Sequence, residues 1–219
     1  MLWTPPRQWE GQDAYLIGGG ASLRSFDFNQ LIGRNTIGSN DAFRLGNAII
    51  QICLFGDASW FHRTKFELEK FGNPIVTCAP SLMTLNTPML KHMKRAREGL
   101  AKGSNLGWNF STGASAINLA ISLGAKRIFL LGYDMCLVNE KSHWHDHRPH
   151  VTREAIFQRF IKGFKCISEH LVNYDVEVIH VMDGVSRLPF FRQMTFAQFA
   201  EHLAKPMNAV EERELEYCI

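Results

Sequence analysis

The strongest constraint on this chain is a repeated alternation of short apolar runs with polar or glycine-containing loops. The runs are rich in β-branched residues and have the length of buried strands. They lie at residues 14–18, 35–40, 48–57, 73–80, 127–134 and 176–183.

Segments with the apolar spacing of an amphipathic helix separate several of these runs. They lie at residues 59–70, 112–123, 152–171 and 195–203. Strands that alternate with helices favour a mainly parallel sheet covered on both faces. The sequence therefore predicts an α/β fold, a Rossmann-like three-layer sandwich.

Composition narrows the class of protein. The 219 residues, 46% of them hydrophobic, suit one globular domain spanning 1–219. The 24 basic and 21 acidic residues are dispersed, which is not the pattern of a nucleic-acid-binding surface. No apolar run approaches the ~20 residues of a membrane span, and the first residues lack a signal-peptide pattern. The five cysteines form no CxxC pair. A cytoplasmic protein is expected, and a homo-oligomer is left open.

Residues 81–109 fit the alternation less well. They contain the basic stretch KHMKRAR and the flexible stretch KGSNLGWN. One interpretation is a small insertion or lid over the strand ends. The other, which we favour from sequence, is an ordinary solvated amphipathic helix followed by a loop.

A triple glycine, Gly18-Gly19-Gly20, follows the first predicted strand and precedes Ser22. Ligands of open parallel sheets bind at the carboxyl ends of the strands, near the point where strand order reverses. Glycines there let backbone N–H groups approach an anion such as phosphate. The pattern GGGASL is neither GxGxxG nor a P-loop, so a plain strand-to-helix turn is an equal alternative.

The stretch FSTGAS opens the second predicted helix. Ser111 or Thr112 is a good N-cap, and Gly113 leaves the first turn uncrowded. Free N–H groups and the helix dipole favour negative charge there, and the hydroxyls of Ser111, Thr112 and Ser115 are candidates for bonds to phosphate or ribose.

The segment SHWHDHRPH holds four histidines in eight residues. His143, His145 and His147 share one face if the segment is extended. Histidine is suited to general-base catalysis near neutral pH, whereas imidazoles together with Asp134 or Asp146 suit a transition metal. A merely polar loop is the third alternative.

Polar residues end two further strands. Asn40 and Asp41 follow the second run and Asp57 follows the third. Amide and carboxylate groups suit a ribose or a base edge, although such residues also begin turns. Later in the chain, Ser186 and Arg187 either close the site or form a turn before core aromatics.

Taken together, YLIGGGASL, IGSNDAF, STGASAINLAISLGAKRIFLLGYDM and SRLPFF resemble a phage and prophage family labelled norphogenetic protein. Its wider relatives are similar to the family-42 bacterial sialyltransferases and to archaeal 6-hydroxymethylpterin diphosphokinase-like proteins. The resemblance covers most of residues 12–200.

The resemblance to the sialyltransferases implies roles for individual residues. It implies a nucleotide site, with His147, at the end of SHWHDH, as the catalytic base. The departures are Gly19 and Ala21, where the transferases have asparagine and proline, and the lack of a tyrosine between Asp134 and His147. The nucleotide contacts that it implies are Gly18, Gly19, Gly20, Ser22, Asn40, Ser111, Thr112 and Gly113.

The leading hypothesis is a glycosyltransferase-type enzyme that binds a nucleotide-activated donor and uses His147, or its neighbour His145, as base. The first alternative is an ATP-dependent pyrophosphokinase or phosphotransferase in which Asp57, Asp134 or Asp146 holds Mg²⁺. The second is a nucleotide-binding or virion-assembly accessory protein without turnover. The donor, the acceptor and the metal are not identified by the sequence.

Overall fold

The computed structural model describes residues 1–85, 87–147 and 151–205. Four helices cross between or follow the strands: α1 (Ala58–Leu68), α2 (Thr112–Ser122), α3 (Glu154–Leu171) and α4 (Phe196–Ala204). The strands of these residues are β1 (Asp13–Ile17), β2 (Thr36–Ser39), β3 (Ile52–Phe55), β4 (Ile75–Thr77), β5 (Leu90–His92), β6 (Lys94–Ala96), β7 (Asn105–Gly107), β8 (Arg127–Leu131), β9 (Glu177–Val181) and β10 (Arg192–Met194).

Eight strands form one sheet in the order β10-β9-β8-β1-β2-β3-β4-β5, and every pair in it is parallel. The predicted α/β class is confirmed. The six predicted strands correspond to β1, β2, β3, β4, β8 and β9, and the four predicted helices correspond to α1 to α4.

Alternate side chains of the strands pack into different helical layers, as the pleat requires. Leu16 of β1 and Leu130 of β8 lie in the cluster that contains α2 and the inner face of α3. Ile17 and Leu131, one residue further on, lie in the opposite cluster with Phe199 of α4. The α1 helix covers β3 and β4 on that second side. The result is a three-layer sandwich.

The favoured interpretation of residues 81–109 is wrong. The described part of this segment contains the end of a short 3₁₀ helix, Pro80–Leu82, but no α-helix: β5 extends the main sheet, and β6 pairs with β7 in a separate two-stranded parallel sheet. The strands have three residues each, with charged side chains in β5 and β6 and the sequence Asn-Leu-Gly in β7, so no apolar periodicity distinguishes them from a solvated loop.

None of the helices among the described residues combines the length and the apolar character that crossing a membrane requires.

Candidate functional site

The strand order reverses between β1 and β8. Strands β2 to β5 lie on one side of β1, and β8 to β10 lie on the other. A cavity of about 530 Å³ opens at the carboxyl ends of these strands. Its position is the one at which open parallel sheets bind ligands.

The triple glycine lines this cavity because it packs against the turn that follows β8. A Cβ on Gly18 would lie 2.6 Å from the Gly132 carbonyl oxygen, and a Cβ on Gly20 would lie 2.6 Å from that oxygen and from Asp134. All three glycines have negative φ. Close approach between two strand ends, rather than left-handed backbone, therefore accounts for Gly18 and Gly20.

The same packing corrects the expected phosphate contacts of the loop. The Gly18 N–H donates to the Leu131 carbonyl and the Gly20 N–H to the Gly132 carbonyl, each at 2.8 Å. These two N–H groups are used by the protein itself. The Gly19 N–H makes no hydrogen bond within the described residues.

Ser22 does not line the cavity. Its N–H and its hydroxyl donate to the two carboxylate oxygens of Asp134, at 2.9 and 2.5 Å. Burial raises the pKa of Asp134, and the hydrogen bonds from Ser22 oppose that shift. These bonds fasten the glycine loop to the β8 turn, and Asp134, unlike Ser22, also lines the cavity.

The start of α2 forms the next part of the cavity wall, through Ser111, Thr112 and Gly113. The Ser111 hydroxyl caps the helix by accepting from the Ala114 N–H at 3.1 Å. Ser115 is turned away: it is fully buried and its hydroxyl bonds to the Trp108 carbonyl at 3.0 Å. Because the first amides of a helix have no partner within it, the open turn at Thr112 and Gly113 favours an anion.

Asn40 follows β2 and lines the cavity with its neighbour Asp41. Asn40 has φ of 53°, in the left-handed region, and its side-chain oxygen Oδ1 is buried without a hydrogen-bond partner in the described part of the chain. A buried unpaired carbonyl costs about 1–3 kcal/mol. Asp41 is buried beside Arg44, with 3.5 Å between Oδ1 and Nε. Asp57 lines the cavity from the start of α1 and is exposed.

The histidine segment is fastened to the glycine loop by Trp144. The Trp144 backbone N–H donates to the Gly19 carbonyl at 3.0 Å, and its indole N–H donates to the Gly18 carbonyl at 2.9 Å. Arg24 adds bonds to the His143 carbonyl and to Asp146. The segment therefore has a defined position against β1.

The three predicted histidines lie in a row, with ring centroids 5.4 Å apart for His143 and His145 and 5.2 Å apart for His145 and His147. His143 and His145 line the cavity, whereas His147 is exposed and does not line it. A Cβ on Gly19 would lie 3.1 Å from His143 Cδ2. The alternation of side chains is as predicted, but the row runs outward from the cavity.

His143 has a partner that orients its ring. Its Nδ1 lies 2.7 Å from the Ser142 hydroxyl oxygen, which also accepts from the Thr152 N–H at 3.1 Å. The other ring nitrogen, Nε2, is on the side of the glycine loop.

Two aromatic residues that the sequence analysis missed complete the cavity near its mouth. Trp108 packs so closely on Gly56 that a Cβ there would lie 1.9 Å from the indole ring, and Arg95 stacks over the same ring at 4.0 Å. Phe110 lies at φ of 65°, and Arg159 of α3 stacks over it at 5.3 Å. All of them except Gly56 line the cavity.

Other predicted groups have structural partners. Arg187 donates to the Met135 carbonyl and forms an ion pair with Glu154, and Ser186 bonds to His180. Leu188 and Phe191, which follow, are core residues. No three His, Cys, Asp or Glu side chains among the described residues are arranged to hold a metal ion.

The fold and the cavity define a class of α/β protein with a candidate ligand site at its topological switch point. Two solved structures of the sialyltransferase CstII from Campylobacter jejuni share this fold. The complex with CMP-3FNeuAc matches with a TM-score of 0.51 and 12% identity over 84% of this chain and 86% of that chain. The complex with cytidine-5'-monophosphate matches with a TM-score of 0.55 and 13% identity over 84% and 85%.

Protein-family models and curated protein sequences give no match to this chain. The resemblance to the phage family and to the pterin diphosphokinase-like proteins therefore stays a prediction. The structural likeness to the sialyltransferase is a likeness of fold.

Proposed function

We propose that this protein is a glycosyltransferase-type enzyme that binds a nucleotide-activated sugar in the cavity at the ends of β1, β2 and β8. One observation carries the proposal: the buried, unpaired Oδ1 of Asn40 lies in the same cavity wall as the open N-terminus of α2. An unpaired polar atom beside an anion-favouring helix start suits a nucleotide, which offers hydrogen-bond donors and phosphate together.

The phosphate of the donor lies at Thr112 and Gly113 in this proposal. Their N–H groups and the dipole of α2 stabilise the negative charge that develops on the leaving nucleotide. Gly19 contributes the available N–H of its loop, while Gly18 and Gly20 keep the loop in place. The solved relatives support the choice of nucleotide, since both are complexes of cytidine nucleotides or an analogue with the same fold.

The base in this proposal is His143, which replaces His147 as the first choice because His143 lines the cavity. This role requires the tautomer of His143 with its proton on Nδ1, which lies 2.7 Å from the Ser142 hydroxyl oxygen, so that Nε2 accepts the proton of the acceptor hydroxyl. The acceptor oxygen then forms a bond to the anomeric carbon of the donor. The bond from that carbon to the phosphate oxygen breaks, and its electron pair leaves with the nucleotide.

A melting-temperature screen tests the proposal. CMP, UDP, GDP, ADP and ATP are each added with and without Mg²⁺. A ligand at 100 times its Kd stabilises the native state by about 2.7 kcal/mol, which for this size raises Tm by roughly 5–10 °C. We expect CMP to give this shift without Mg²⁺. If no nucleotide shifts Tm, the proposal fails.

Two further outcomes separate the alternatives. A shift that only ATP with Mg²⁺ produces would favour the phosphotransferase. A shift with CMP but no transfer from CMP-sialic acid or other nucleotide sugars to any acceptor tested would favour a binding protein without turnover.

A further inference from the structure

We infer that the mouth of the cavity is a subsite for an acceptor sugar that carries a carboxylate or a phosphate. This inference rests on the proposed function and assigns a task to the side chains that it leaves unused. They form two pairs, Arg95 with Trp108 and Arg159 with Phe110, and all four residues line the cavity.

Arg95 is fixed in place by its own hydrogen bonds. Its Nε donates to the Cys78 carbonyl at 3.0 Å, and its Nη2 donates to the Gly56 carbonyl at 2.5 Å. The guanidinium is also stacked on Trp108 at 4.0 Å. An arginine held this way loses little conformational entropy when its remaining N–H groups bind an anion.

The positive charges at the mouth are not neutralised by neighbouring acids. In the part of the chain that the structure describes, neither Arg95 nor Arg159 has a carboxylate oxygen within 4.0 Å. Asp41, Asp57 and Asp134 also line the cavity, but Asp41 faces Arg44, Asp134 accepts two hydrogen bonds from Ser22 and Asp57 is exposed. Two arginines without acidic partners, both lining one cavity, favour a ligand with negative charge.

Two aromatic rings accompany these charges. Trp108 and Phe110 are both partly exposed, and each has one arginine over its ring. Phe110 is a bulky residue at positive φ, which costs about 1–2 kcal/mol per residue, so its presence in the cavity wall is not the result of backbone preference. Aromatic rings offer apolar surface to the C–H face of a sugar, while arginine binds its anionic group.

The position at the mouth assigns the subsite to the acceptor. Thr112 and Ser111 at the start of α2 are buried, whereas Arg95 and Phe110 are partly exposed and Arg159 is exposed. If the leaving phosphate binds at the buried residues Ser111 and Thr112, the donor occupies the inner part of the cavity. The acceptor, which enters from solvent towards the donor, passes the arginine pairs.

The test measures binding of glucuronate, glucose 6-phosphate and neutral glucose to the full chain by calorimetry or ligand-observed NMR, with and without saturating CMP. We expect at least one of the two anions to bind about tenfold or more tightly than glucose. Binding of glucuronate alone, or of glucose 6-phosphate alone, supports the inference and identifies the anionic group.

Variants connect the preference to these residues. Arg95→Gln is expected to abolish the preference for an anionic sugar over glucose, and Arg95→Lys is expected to keep part of that preference. Arg95 also donates hydrogen bonds to two backbone carbonyls, so Arg95→Gln could disturb the fold. Arg159→Gln therefore provides a second variant, on the surface of α3, in which the preference for an anionic sugar should fall several-fold. Arg97→Gln and Lys162→Gln are the matched controls, since Arg97 is 91% exposed and Lys162 is an exposed residue of α3.

Three results would overturn the inference. One is equal binding of the anions and glucose to the wild-type protein. Another is an anion preference that Arg95→Gln and Arg159→Gln leave intact. The third is loss of CMP affinity in Arg95→Gln equal to the loss of sugar affinity, which would assign Arg95 to the nucleotide phosphate. Failure of CMP to bind at all refutes the proposed function, while the measurements without CMP still decide this inference.

Discussion

Two cavities of nearly equal size lie at opposite edges of the sheet. The cavity at the carboxyl edge has a volume of about 530 Å³, and the one at the amino edge has about 540 Å³. Helix α2 reaches both, because its first residues line the former while Ser122 and Gly124, at and beyond its end, line the latter. Volume therefore does not distinguish them.

The polar groups in the walls of the two cavities do distinguish them. At the amino edge, Lys126 pairs with Asp175 at 2.9 Å and Arg7 with Glu10, while Lys102 lies over the Tyr174 ring. That cavity also faces the carbonyl end of α2, which disfavours anions. At the carboxyl edge the helix start is open and the Asn40 oxygen is unpaired. Unmet hydrogen-bonding capacity, rather than size, marks the candidate site.

The largest expected effect tests whether chemistry occurs at the carboxyl edge. His143→Ala should lower the transfer rate by about 10²–10⁴-fold because the acceptor proton loses its base. His147→Ala, which alters an exposed histidine of the same segment, should retain nearly full activity. Initial rates with a nucleotide sugar measure both. A large loss in His147→Ala with full activity in His143→Ala would reverse the assignment.

The next effect compares one glycine from each cavity wall. Gly18→Ala forces a Cβ to within 2.6 Å of the Gly132 carbonyl, and the displaced loop should weaken CMP binding by roughly 10- to 100-fold. Gly11→Ala meets no atom within 4 Å but is strained at φ of 68°. It should lose stability and keep its affinity for CMP. Calorimetric titration and urea unfolding of both variants separate binding from stability.

A third prediction separates acid effects on the fold from those on the site. Burial lowers the pKa of His180 to about 4. The unfolded chain, with a histidine pKa near 6.5, binds a proton between pH 4 and 6.5 that the native state does not. The free energy of unfolding therefore falls as pH falls through this window, by about 2 kcal/mol from pH 7 to 5.

Urea unfolding at pH 7 and pH 5 measures this contribution, and His180→Gln should remove it. Gln keeps a polar group that can bond to Ser186, the partner of His180 Nδ1. An unchanged pH dependence in this variant would show that other groups cause the acid destabilisation.

The smallest expected effect concerns the unpaired amide. Asn40→Gly removes the buried Oδ1 and suits the left-handed backbone, so the free energy of unfolding without ligand should be unchanged or about 1 kcal/mol higher. Affinity for CMP should fall by roughly tenfold. Parallel losses of stability and affinity would instead identify Asn40 as a structural residue.

The sequence predicted the strands that carry strong apolar patterns, because burial on both faces of a parallel sheet requires them. The strands β5, β6, β7 and β10 were missed because they lack such an apolar pattern. Each has only three residues, with a charged side chain in β5, β6 and β10 and the sequence Asn-Leu-Gly in β7, so pairing with a neighbour, rather than periodicity, determines its structure.

The site was predicted in part. Strand-end position led to Asn40, Thr112 and His143, since the carboxyl ends of parallel strands converge. It could not show that Ser22 lies outside the cavity and bonds to Asp134, which lines it. Arg95 and Trp108 were missed because they come from the β6–β7 segment, where the pairing of Arg95 with Leu106 has no local signature in the sequence.

The bonds from Trp144 to the glycine loop join residues that are more than a hundred positions apart in sequence. The glycine loop follows β1 and the histidine segment follows β8, so their contact depends on the pairing of these two strands. The same contacts can also open without loss of the sheet, since local unfolding requires less free energy than global unfolding. Hydrogen exchange at Trp144 would accordingly report the lifetime of the assembled site, independently of the stability of the domain.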